Sequence, residues 1–160
     1  SQTRGVIDPS LAPPSLHRAE GQLLERSNPI TRVSDEESWH LLQRAQIGRI
    51  ASARGGEPDI FPVSYVCDGE SIFFRTAADS RLRLEADGKP VAFEAAGQLG
   101  TDAWSVVALG SLRTLDETHD QELLNQLPIL DFAPDEPYVW MQVTTTSVRG
   151  RRFIITSSTT

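Results

Sequence analysis

The sequence predicts a mainly β protein with short flanking helices, folded as a small antiparallel barrel. Three observations carry this. Short apolar segments recur between turn residues from Arg49 onward, the pattern of strands in a sheet. Most are joined by only a few residues, too few for the crossover that parallel strands need. The segment 60–66 is apolar on both faces, at Ile60, Phe61, Val63, Tyr65 and Val66. A closed barrel with one side under helices or under a second subunit accounts for such a strand.

Residues 1–33 read as an N-terminal extension. Pro9, Pro13, Pro14 and Pro29 interrupt any long element. A short helix fits 15–25, where Leu16, Leu23 and Leu24 form one apolar side. The barrel domain is placed at 34–156, and 157–160 reads as a frayed tail. Ser34-Asp35-Glu36-Glu37 opens a helix: a cap residue, acids in the first turn, and a glutamate three residues after the cap. Trp39, Leu41, Leu42 and Ala45 give that helix its apolar side, and Gly48 is its expected stop.

Strands then fit 49–54, 60–66, 71–76, 91–96, 104–115, 138–145 and 148–155. Gly55-Gly56-Glu57-Pro58 is a turn, and Asp68-Gly69 is a tight hairpin signal. Helices fit 79–87, ahead of Gly88-Lys89-Pro90, and 117–127, ahead of Pro128.

A chain of 160 residues is one domain of ordinary size with room for a full core. Its net charge of −7 opposes a nucleic-acid backbone, so no nucleic-acid partner is expected. No stretch approaches the roughly 18 apolar residues of a spanning helix, so no membrane span is expected. The N-terminal residues carry no apolar signal core, which reads as cytoplasmic. Cys67 is a single cysteine, so neither an internal disulfide nor a thiolate zinc site is available. Of the 15 basic residues 14 are arginine, Lys89 being the exception; the guanidinium fork suits phosphates and carboxylates.

Chemistry concentrates in Phe73-Phe74-Arg75-Thr76-Ala77-Ala78-Asp79-Ser80-Arg81-Leu82. A strand ends in arginine and threonine, a short turn follows, and a helix begins near Ser80. Free backbone N–H groups at a helix start, two hydroxyls and two guanidinium groups together suit a phosphate monoester. The alternative is that Arg75 and Arg81 are solvated, that Asp79 pairs one of them, and that Ser80 only caps the helix. His17, His40 and His119 lack the spacing of a metal site, so none is expected. Cys67 has no activating neighbour. Arg151 and Arg152 lie on one strand, so at most one should face inward, toward an anionic substrate or a cofactor phosphate.

The order and spacing of several segments resemble a known family. They are Ile47-Gly48-Arg49-Ile50-Ala51-Ser52, Phe61-Pro62-Val63-Ser64-Tyr65, Ile72-Phe73-Phe74-Arg75-Thr76, Ser80-Arg81-Leu82, Pro90-Val91-Ala92-Phe93-Glu94, Trp104-Ser105-Val106-Val107 and Val148-Arg149-Gly150-Arg151-Arg152-Phe153. Together, over about residues 34–155, they resemble the pyridoxamine 5′-phosphate oxidase-like, FMN-binding split-barrel family. The resemblance implies a six- to seven-stranded, mostly antiparallel split β-barrel. It implies a homodimer with FMN at the subunit interface. Arg75, Thr76, Ser80 and Arg81 would hold the FMN phosphate. The backbone of Pro62, Val63, Ser64 and Tyr65 would run along the isoalloxazine ring, and Trp104 and Ser105 would line the same groove.

Two departures stand out. Many members have lysine where Arg81 stands; arginine keeps the charge. The oxidase itself closes its pocket with a C-terminal tryptophan segment, whereas this chain has Gly150-Arg151-Arg152-Phe153, which argues against pyridoxamine 5′-phosphate as substrate. The expected function is a flavin-dependent oxidoreductase acting on a small molecule, with no catalytic side chain identified. Alternatives are a deazaflavin-dependent reductase, a non-enzymatic flavin- or haem-binding protein with His17 or His119 as axial ligand, and a dimeric interaction module.

Overall fold

The computed structural model describes residues 30–128 and 137–155. The element order is β1 (Ile30–Val33), α1 (Asp35–Leu42), β2 (Ile47–Arg54), β3 (Glu57–Cys67), β4 (Ser71–Ala77), α2 (Arg81–Ala86), β5 (Pro90–Leu99), β6 (Asp102–Thr114), α3 (Gln121–Gln126) and β7 (Tyr138–Ile154). Every strand pairing is antiparallel. The sheet runs β1-β7-β4-β3-β2-β5-β6, and β6 pairs back onto β7. Six strands therefore close into a barrel, with β1 added along β7 beyond the end of β4. This is a split β-barrel, as the sequence predicts.

The ring is unevenly stitched. The β5–β6 ladder runs from Pro90↔Ser111 to Leu99↔Asp102, whereas β2–β5 pairs only from Arg49↔Glu94 to Ala51↔Ala92. Likewise β3–β4 pairs only from Tyr65↔Phe74 to Cys67↔Ile72. Beyond those short ladders the strands splay.

The core fills the barrel with Ile50, Ile72, Phe74, Phe93, Val106, Leu112, Met141 and Val143, all fully buried. Each such side chain contributes about 1.5–3 kcal/mol relative to exposure. Ser71–Phe74 of β4 is buried at every position, which matches a strand covered on both faces. Ser34 caps α1 by accepting the Glu37 N–H at 3.1 Å. Ser38 is buried and donates its hydroxyl to the Ser34 carbonyl at 2.9 Å. It packs on Gly150 of β7, where a Cβ would collide with the Ser38 hydroxyl.

Four local expectations change. Ile30–Val33 is a strand on β7, paired Ile30↔Phe153 to Val33↔Gly150; its partner supplies the pairing that its weak pattern did not announce. Helix α1 ends at Leu42, and Gly48 is not its stop. Gly48 lies in β2, where the absence of a Cβ admits the Phe93 ring. The strands expected at 138–145 and 148–155 are one strand, β7. Its register against β6 shifts between Leu109↔Ser147 and Gly110↔Thr145, so Thr146 is one extra residue, a bulge that bends the strand without ending it. The helix expected at 117–127 shrinks to Gln121–Gln126. The helix fitted to 15–25 and the tail at 157–160 lie outside the described residues.

Candidate functional site

The cleft that matters is made by the β3–β4 splay. The last paired residues are Tyr65 and Phe74. From there Phe61–Ser64 of β3 diverges from Arg75 and Thr76 of β4. Ser80, Arg81 and Leu82, at the start of α2, close the end of the gap. Together with Pro62 and Val63 these residues line a cleft of about 450 Å³. Seven of the ten residues expected at a cofactor site thus meet in one place: Pro62, Val63, Ser64, Arg75, Thr76, Ser80 and Arg81.

Pro62 fits its place for a definite reason. The Tyr65 N–H donates to the Gln46 carbonyl, on the β2 side, at 3.0 Å. Hydrogen-bonding direction alternates along an antiparallel strand, so residues 61 and 63 also face β2, and 62 and 64 face the cleft. A proline at 62 removes no donor from the β2–β3 ladder. The Ser64 N–H and the Pro62 carbonyl are left on the cleft edge.

The cationic end is built by several elements. Arg75 leans on β7: its guanidinium carbon lies 5.2 Å from the Tyr138 ring centroid and 5.9 Å from that of Trp140. Such faces attract and orient a cation. Arg81 sits 5.3 Å from the Phe61 ring centroid. Its Nη2 meets Asp59 Oδ2 at 2.8 Å and its Nε meets Glu85 Oε2 at 3.2 Å. The partners are therefore Asp59 and Glu85, not Asp79. A guanidinium carries five donors, so Nη1 is left for a ligand. The Ser80 Oγ accepts the Arg83 N–H at 3.2 Å, which leaves its own O–H to donate. With only Arg81–Ala86 in the helix, α2 adds little macrodipole. Its side chains, not its axis, supply most of the charge.

The other three expected residues are not among those that line this cleft, and Tyr65 was expected there by its backbone. Tyr65 points into the core, where its hydroxyl donates to the Leu42 carbonyl and its ring meets Phe93 edge-on. Burial raises its phenol above the ordinary 10.0. Trp104 is buried against Gly97, whose missing Cβ makes room for the indole. Ser105 pairs with Ala96 and Arg151 in the sheet. Neither Trp104 nor Ser105 borders the cleft of this chain.

The family model for pyridoxamine 5′-phosphate oxidase matches residues 34–152. The chain belongs to that family. A solved structure of an FAD-binding protein from Mycobacterium smegmatis is 30% identical, with a TM-score of 0.72 over 79% of this chain and 100% of that one. A conserved protein of unknown function from Corynebacterium diphtheriae is 27% identical, with a TM-score of 0.68 over 79% of this chain and 99% of that one. An FAD and haem binding protein from Mycobacterium smegmatis shares the fold, at 15% identity and a TM-score of 0.59 over 81% of this chain and 74% of that one. No curated protein matches the chain.

Within this family's barrel the remaining expectations separate. Arg152 Nη1 is held by Glu37 Oε2 at 3.2 Å, in a second concavity that also involves His40 and Arg44; Arg151 is exposed. Neither reaches the Arg75–Arg81 cleft in this chain. His119 is exposed and lies 3.2 Å from Asp116, and His17 falls outside the described residues. Among the described residues no group of three metal-ligating side chains occurs, and no helix is long and apolar enough to cross a membrane. Cys67 is a half-buried free thiol. Burial, with the nearby Asp68 carboxylate, pushes it from 9.0 up to about 11, which suppresses the thiolate.

Sequence reasoning missed Phe61 and Leu82 as cleft walls, the carboxylates on Arg81, and the aromatic support of Arg75. Phe61 stood next to Pro62 in the quoted motif and alternates with it across β3. Leu82 adjoins Arg81 and Glu85 stands four residues beyond it on the same helix, a spacing that could have announced both. Asp59 and the aromatic support of Arg75 are contacts between distant segments, which spacing along the chain does not reveal.

Proposed function

We propose that the chain is a flavin-binding protein of the oxidoreductase class, with FMN as the bound unit. The observation that carries this is the cleft itself. Arg75, Thr76, Ser80 and Arg81 gather at one end, as a phosphate needs. Phe61, Pro62 and Val63 supply an apolar wall beside it, with the Ser64 N–H and Pro62 carbonyl on the same edge, as a planar heteroaromatic ring needs. A bound flavin supplies the hydride and electron transfer that no side chain of the cleft provides. The protein's part is to bind the phosphate, orient the ring and leave one side open to a small-molecule substrate.

The FAD-binding relative supports a second reading, in which FAD occupies the cleft through its FMN half and the remainder extends outward. Deazaflavin is a variant with another anionic tail. For the haem reading, with His17 or His119 as axial ligand, His119 does not line this cleft and His17 lies outside the described residues. A homodimer, with the flavin at the subunit interface and one ring face still open to substrate, completes the proposal. The strand at Trp104 and Ser105 would then border the partner's cleft through its backbone and Ser105, the Trp104 ring being core. The setting proposed is the cytoplasm.

The test is absorbance and flavin-fluorescence titration of the purified protein with FMN, FAD and riboflavin. Expected are flavin bands and micromolar-or-tighter FMN binding. The variant with both Arg75→Ala and Arg81→Ala should lose at least about a hundredfold in FMN affinity, two charge-assisted contacts being removed. A wild-type protein that binds none of the three, or an unchanged double variant, sinks this reading.

A further inference from the structure

The loop between Thr76 and Ser80 carries half of the proposed phosphate site, yet its backbone has few ties of its own. The Ala78 N–H donates to the Pro137 carbonyl and the Ser80 N–H to the Ala77 carbonyl, each at 3.0 Å. Thr76 and Ala77 still pair with β7, and the Leu84 N–H holds the Ser80 carbonyl at 3.0 Å. The side-chain anchor of the loop comes from Arg83, one turn into α2. Its Nη1 donates to the Ala78 carbonyl at 2.6 Å, and its Nε donates to Thr114 Oγ1 at 3.2 Å. Thr114 is fixed in turn by Asp87, which takes the Thr114 N–H at 2.9 Å and lies 3.0 Å from its hydroxyl. The Arg83 backbone N–H also holds Ser80 Oγ. The Arg83 side chain thus ties the loop to the end of β6, while the Ser80 contact is a main-chain cap that any residue but proline at 83 would supply. Arg83 does not line the cleft.

We infer that the Arg83 side chain positions the phosphate arm of the cleft, acting through the Ala78 carbonyl and not by touching the ligand. The inference rests on the flavin reading above for its ligand, and on geometry alone for the loop. It makes a specific demand: Arg83 should matter for the phosphate of FMN and be irrelevant to the ring.

Riboflavin, which has the ring and no phosphate, separates the two. The experiment compares FMN and riboflavin affinities in the wild type, Arg83→Met, Arg83→Lys and Thr114→Val. Amide hydrogen exchange of the 76–82 segment is followed in the same proteins without flavin. Arg83→Met should weaken FMN about tenfold, the scale of one hydrogen bond to a charged group, with riboflavin affinity unchanged. Exchange in the loop should rise about tenfold, as local opening becomes easier. Arg83→Lys, which keeps one donor for the Ala78 carbonyl, should recover part of the FMN preference. Thr114→Val should move in the same direction as Arg83→Met.

Unchanged loop exchange in Arg83→Met overturns the inference whatever the flavin result. Equal loss of FMN and riboflavin also overturns it, since that marks a structural role. Loss of FMN with Thr114→Val and loop exchange unaffected assigns Arg83 to direct contact and likewise overturns it. If the wild type binds neither flavin, the flavin reading fails by itself, and the exchange experiment still decides whether Arg83 sets the loop.

Discussion

Arg81, which lines the cleft, meets Asp59 and Glu85 on two of its three nitrogens. Its side chain is 64% exposed, so each pair is screened and worth about 0–1 kcal/mol. The carboxylates orient the guanidinium, but they also lower the local potential that a phosphate meets. Asp59→Asn should therefore strengthen FMN binding by about two- to fivefold, within the range of an exposed ion pair. A weaker titration in Asp59→Asn would mean that orientation outweighs charge. Cys67 sets a second residue-scale expectation. Its pKa in the folded chain, about 11, lies above its ordinary 9.0. The folded state holds the proton more tightly, so the resulting stabilisation is complete below about pH 9 and is lost as pH rises toward 11. Tyr65 adds loss in the same direction at higher pH. Chemical denaturation between those pH values should show a steeper fall for the wild type than for Cys67→Ala; equal slopes would remove Cys67 as the cause.

The decisive elements are β3, β4 and β7. Short pairing between β3 and β4 opens the cleft, and the bulge at Thr146 lets a single β7 serve β4, β6 and β1. Gly110 stands opposite that bulge, where a Cβ would run into the Thr144 carbonyl and the Thr145 Cα. Both obstacles are backbone within a ladder and cannot swing aside. Gly110→Ala should destabilise by about 1–3 kcal/mol, the usual cost of overpacking, read as a lower denaturation midpoint; an unchanged midpoint would show that the bulge gives way. Elements of this kind were legible in part. Asp68-Gly69, Ser34 and Ser80 announced a hairpin and two caps because those signals are local. The phosphate arm was legible because Arg75, Thr76, Ser80 and Arg81 are neighbours in the chain. The bulge was not, since residues 145–147 look like any polar turn until β6 supplies the partner. Tyr65 was expected to lie along the ring by its backbone and Trp104 to line the interface groove; that both side chains are core was not legible. A strand's pattern shows that alternate residues differ in burial, but not which aromatic faces inward.

At the scale of the whole molecule, apolar surface remains where a lone barrel has no use for it. Ile47 and Ile60 are 60% and 62% exposed, on β2 and β3, and Leu109 is 38% exposed on β6. Ala51, Ala53, Pro58, Ala92 and Leu109 line an open saddle of about 620 Å³. Water contact with such a surface is unfavourable, and its removal would favour self-association. The net charge of −7 per chain opposes this only weakly at ordinary salt. A dimer of two 17.6 kDa chains is therefore the expected species in sedimentation or light scattering. If this saddle forms the contact, Leu109→Asp buries an unpaired carboxylate at the interface, a cost of several kcal/mol, and should yield monomer. Flavin affinity in that monomer is the informative reading, because Arg75, Thr76, Ser80 and Arg81 stay intact. Weakened FMN binding would mean that the second chain completes the site, and undiminished binding would mean that the β3–β4 cleft suffices alone. A monomeric wild type at high concentration, or a Leu109→Asp variant that stays dimeric, would remove this face from the assembly.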